Sequence, residues 1–94
     1  MNYNEFEKQV NELMSTIFEL LKSKSKEYNT SENIFSVFDN IAILEKREIK
    51  EVIRTLINLK VSRLNNDFKL DSLLDLINYS ILLYLYLKEI NYYE

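Results

Sequence analysis

The stretch LDSLLDLINYSILLYLYLKEI, residues 70–90, decides the fold. It places Asp71, Asp75 and Asn78 in its first turns, and from Leu76 to Leu87 it carries no charge. On a helix advancing about 100° per residue, those three polar side chains fall within about 60° of one another. The same stripe continues as Leu82 and Tyr86, while Leu73, Ile77, Ser80, Ile81 and Tyr84 cover the opposite face. A helix that is apolar nearly all round is buried against several partners. The spacing therefore predicts a central helix whose opening acids must be answered by the rest of the chain.

The preceding segment supplies the answer. The link NND at 65–67 is the strongest turn signal in the chain, and it ends a predicted third helix at about 47–65. With Lys60 set at 0° on its wheel, Ile49, Ile53, Leu56 and Leu64 lie within about 40° of it. Arg63 lies at about 300°, next to Val52 and Leu59. Both cations are thus expected inside the apolar stripe, where an unpaired charge costs several kcal/mol. Folding the last helix back on the third brings Lys60 and Arg63 opposite Asp71 and Asp75.

Two more helices precede this hairpin. The first, predicted at 3–27, aligns Phe6, Val10, Leu13, Ile17, Leu20, Leu21 and Lys24 on one stripe. Acids dominate its start and Lys22, Lys24 and Lys26 its end, which matches the helix dipole. Lys24 stands apart from its neighbours because it is in line with apolar residues. Asn29, Thr30 and Ser31 are capable N-caps for a second helix at about 31–44, which buries Ile34, Val37, Phe38, Ile41, Ala42 and Leu44. The link EKRE at 45–48 has no helix breaker, so helices two and three are expected to meet at a kink.

Composition narrows the classes. The chain has 94 residues with neither Gly nor Pro, which favours helices and short polar links over hairpins. Cys and His are both absent, excluding disulfides, thiol chemistry and the usual zinc ligands. A net charge of −3 without a basic block argues against generic nucleic-acid binding. The N-terminus does not read as a signal peptide, and twelve uncharged residues at 76–87 fall short of the roughly 20 that a spanning helix needs. These readings predict a cytoplasmic, single-domain, all-α protein: a compact antiparallel four-helix bundle, with no membrane segment. Surplus apolar surface at 76–90 predicts that dimerisation through the last helix completes it.

Two meanings are open for the charged cluster. Lys60, Arg63, Asp71 and Asp75 can fix the register of a helical hairpin as a salt-bridge network. Alternatively they line a pocket in which Lys60 and Arg63 hold phosphate oxygens and Asp71 and Asp75 hold Mg²⁺. Tyr79 and Tyr86, seven residues apart beside the Asp stripe, can stack on a base or serve the core. Lys24 joins Lys60, Arg63 and Tyr79 as a candidate ligand contact.

The run KEYNTSENIFSVFDNIAIL, then LKVSR, then DSLLDLINYSILL resembles a group of small helical phage and prophage proteins. The matching positions are Lys26 with Tyr28, Asn33 with Phe35, Lys60 with Arg63, and Asp71, Ser72, Asp75 and Tyr79. Asn29 stands where that group usually has a glycine. The group is similar in pattern to MazG-like nucleoside triphosphate pyrophosphohydrolases, whose acids bind Mg²⁺ between helices. That resemblance implies a Mg²⁺ cofactor and adds Glu48 and Glu51 to Asp71 and Asp75 as metal candidates. The family pattern is Glu-x-x-Glu followed by Glu-x-x-Asp, whereas Asp71 and Asp75 are spaced one residue wider. Glu48 and Glu51 also tend away from the buried stripe. The implied function is that of a phage accessory protein with a nucleotide-binding or nucleotide-hydrolysing domain. The other class is a non-enzymatic module that binds another protein, such as a component of a host defence system.

Overall fold

The computed structural model describes residues 1–28 and 34–91, with side chains through residue 26 in the first segment. Among the described residues there are four helices: α1 (Tyr3–Tyr28), α2 (Ser36–Glu45), α3 (Ile49–Asn66) and α4 (Leu70–Glu89). The expected caps at Asn29, Thr30 and Ser31, the motif position Asn33 and the side chain of Tyr28 lie outside the described residues.

Each boundary has a local cause. Asn2 caps α1 reciprocally: its Oδ1 accepts the Glu5 N–H at 2.9 Å, and its Nδ2 donates to Glu5 Oε1 at 3.1 Å. The α2–α3 corner is a true break, not the expected kink. Lys46 takes the left-handed conformation (φ 54°, ψ 46°). Its N–H reaches the Ile43 carbonyl at 3.3 Å, and the Arg47 N–H reaches that of Ala42 at 2.9 Å. This is a Schellman ending, normally built on glycine, which this chain lacks. Arg47 then staples the corner by donating to the Glu51 carbonyl at 2.8 Å, to Thr55 Oγ1 and to Glu45 Oε1 at 3.3 Å.

The most extensive packing joins α3 to α4, which are linked by residues 67–69 only; α2 packs on α3, and α1 touches α4. Among the described residues the fully apolar core is Ile17, Phe35, Ala42, Val52 and Ile53. Phe35 meets Tyr86 edge to face, with ring centroids 5.2 Å apart.

The bundle is less compact than the sequence predicts. It measures 48 × 32 × 32 Å with a radius of gyration of 15.1 Å, against about 12 Å expected for this length. The reason lies in α1, which joins the bundle only from Ile17 onward; residues 1–16 are all exposed. With half of α1 elsewhere, α4 is only partly covered, and Leu73, Tyr84 and Leu85 face outward. Taken whole, α4 is long and apolar enough to cross a membrane by length and composition, although its uncharged run alone is not. In the structure it is packed on α3 and tied to neighbouring helices through Asp75.

Candidate functional site

The last turns of α1, the second half of α3 and the start of α4 converge on one carboxylate. Lys24 Nζ donates to Asp75 Oδ1 at 2.7 Å, and Lys60 Nζ lies 3.0 Å from Asp75 Oδ2. The Lys60 side chain is 11% exposed, that of Asp75 25% and that of Lys24 40%. Burial pushes the Asp75 carboxyl upward, but the hydrogen bonds and charges of Lys24 and Lys60 outweigh it. Its pKa is therefore held below the usual carboxylate value. Lys60 is where the wheel of α3 places it, and its counter-charge is one of the two acids expected.

Arg63 and Asp71 are not where the wheel places them. Both are exposed, and they form no ion pair with each other. Arg63 stands in the last turn of α3, and its carbonyl accepts the Asp67 N–H at 3.0 Å. Arg63 and Asp71 instead line an open hollow with Asp67, Lys69, Ser72 and Asp75.

Glu48 and Glu51 occupy the opposite end of α3. Nine residues separate Glu51 from Lys60, roughly 13 Å along the helix. Glu51 pairs with Arg54, and Glu48 lies 3.4 Å from Lys50. The structure does not bring them to Asp71 and Asp75, and among the described residues no three acids gather into a metal-binding group. Each oxygen of Asp75 already faces an ammonium group, so a Mg²⁺ ion there would meet the repulsion of two neighbouring cations.

Beside the Lys24–Asp75 pair a cavity of about 290 Å³ opens between α1, α2 and α4. Leu21, Val37, Phe38 and Leu82 make its wall largely apolar, and Lys24, Asn78 and Tyr79 supply polar groups. Asn78 is 3% exposed, and its amide Oδ1 and Nδ2 are both sealed from water with no hydrogen-bond partner. Leaving such a group unpaired costs about 1–3 kcal/mol. Tyr86, the other tyrosine read as able to stack on a base or serve the core, packs edge to face on Phe35.

Sequence reasoning places Asn78 on the acidic stripe but does not single it out. The signal is that it shares a face with a buried salt-bridge residue. Lys24 carries a clearer signal, a cation in line with a long apolar stripe. No family model, curated protein or solved structure matches this chain.

Proposed function

We propose that this chain is a nucleotide-binding domain of a phage or prophage accessory protein, MazG-like in pattern and acting in the cytoplasm. The observation that carries the reading is Asn78: a buried, unpartnered amide in the wall of a largely apolar cavity. An amide carries a donor and an acceptor side by side, the complement of a nucleobase edge; both atoms are closed to water in this structure, so in this reading a base reaches them only after neighbouring side chains of the cavity wall shift. The cavity volume sits at the lower end of small-ligand sites and suits a base or nucleoside. Tyr79 flanks the base, and the Lys24–Asp75 pair separates the cavity from the hollow where Arg63 and Lys69 meet phosphate oxygens.

The reading is one of binding rather than hydrolysis, because Glu48 and Glu51, paired with Lys50 and Arg54 at the other end of α3, are not brought to Asp71 and Asp75. Mg²⁺ would arrive on the ligand's phosphates, with Asp71 in the hollow to meet it. In this reading the protein is a homodimer, since the described core is small and large apolar surfaces lie outside it.

A thermal-shift panel of nucleoside mono-, di- and triphosphates with Mg²⁺ is the test. A ligand at 100 times its Kd adds about 2.7 kcal/mol, which for a domain of this size raises Tm by roughly 10 °C or more. An unchanged Tm across the panel would overturn the reading. The second class, a module that binds another protein, is favoured by one observation, the exposed apolar stripe on the first half of α1.

A further inference from the structure

Asn78 stands in the cavity wall as an amide sealed from water, and an amide turned over in place offers its donor and acceptor in either order. Alone it would accept any base edge on which a donor and an acceptor sit side by side. The rest of the wall narrows the choice. Among the described residues its other polar side chains are Lys24, Ser25 and Tyr79, an ammonium group and two hydroxyls. No carboxylate lines it, and the Asp75 carboxylate faces Lys24 and Lys60.

We infer that the cavity selects adenine as the base of its nucleotide ligand, with Asn78 as the residue that reads it. This deepens the nucleotide-binding reading and rests on it. An asparagine amide pairs with adenine through two hydrogen bonds, donating to a ring nitrogen and accepting from the 6-amino group. What is left on adenine is one amino hydrogen, which a hydroxyl accepts, and ring nitrogens, which ammonium and hydroxyl groups reach as donors. Guanine, paired to the same amide through its N1–H and O6, brings a whole 2-amino group into a wall without a carboxylate to receive it. A buried donor left unpaired weakens binding. Uracil and cytosine match the amide equally well but are single rings. The fused rings of a purine cover more of Phe38, Tyr79 and Leu82, and so bury more apolar area in a cavity of about 290 Å³. The base pairs with Asn78 once side chains of the wall shift, and the amide gives up no other hydrogen bond in doing so.

Calorimetric titration of the 5′-triphosphates of adenosine, guanosine, cytidine, uridine and purine riboside, each with Mg²⁺, is the test. Purine riboside is adenosine without the 6-amino group, so that comparison isolates the pair with Asn78 while phosphates, ribose and ring area stay the same. Wild type should bind adenosine triphosphate most tightly of the five. Its advantage over purine riboside triphosphate should be about 5–160-fold, the range for one bidentate base contact. In Asn78→Leu that advantage should disappear. Equal affinity of wild type for those two ligands, or a tighter guanine, cytosine or uracil nucleotide, overturns the selection of adenine and leaves the nucleotide reading standing. Absence of binding by all five overturns both. An Asn78→Leu variant that keeps the advantage of adenosine triphosphate overturns Asn78 as the reading residue. The ligand series on wild type decides the choice of base whether or not the variant folds.

Discussion

Lys24 and Asp75 meet at 2.7 Å although 51 positions separate them in the chain. That contact ties α1 to α4, and with Lys60 on the other oxygen it holds three helices at one carboxylate. The pairing fixes a pH dependence. A carboxyl whose folded pKa is depressed adds stability that is present above its unfolded value, near 3.9. That stability is lost as pH falls through the lower folded value. Wild type should therefore lose stability relative to Asp75→Asn as pH drops below about 4. At neutral pH Asp75→Asn should cost about 1.5–3 kcal/mol, the range for hydrogen bonds to charged groups. Urea melts of both proteins between neutral and acidic pH check this, and a constant difference between them would contradict it.

The two cations of α3 should behave differently. Lys60 is buried and paired, whereas Arg63 is exposed. Lys60→Ala should destabilise by more than about 1 kcal/mol, because it strips the half-buried Asp75 carboxylate of one partner. Arg63→Ala should stay within about 0.5 kcal/mol of wild type. Chemical denaturation midpoints decide, and equal losses would show that Arg63 is paired as the wheel suggests.

Lys46 holds a left-handed conformation that costs a side-chain-bearing residue about 1–2 kcal/mol. Lys46→Gly removes that cost but gives back part of it as entropy of the unfolded chain. A net gain of about 0.5–1 kcal/mol is expected. Thermal melts would show it as a higher Tm, and a lower Tm would mean that the Lys46 side chain itself supports the corner.

The helices are legible in the sequence because apolar spacing is a local property. The hairpin of α3 and α4 is read from NND at 65–67 and from Lys60 on the apolar stripe of α3. Arg63 defeats the same reasoning: it shares the edge of the Lys60 stripe, yet it is exposed beside an open hollow rather than packed under α4. The half-detached α1 is hidden for a similar reason. Phe6, Val10 and Leu13 look like core residues on the stripe that Ile17 shares, and only the packing shows that the bundle stops at Ile17. Asn78 reads as one more polar residue near the acids. Its unpaired amide depends on what α1 and α2 fail to bring against it, which no local pattern encodes.

Asn78 is where the functional reading is most exposed to test. Leucine has the same branching as asparagine without its polar atoms, and replacing an unpaired buried amide by an apolar isostere relieves its desolvation cost. The decisive measurement is calorimetric titration of nucleotides with Mg²⁺ into wild type and Asn78→Leu, paired with the Tm of each without ligand. Asn78→Leu is expected to melt at or above the wild-type temperature and to have lost the heat of binding that wild type shows. A destabilised Asn78→Leu with no heat of binding in either protein would contradict it, and would leave Asn78 a part of the scaffold.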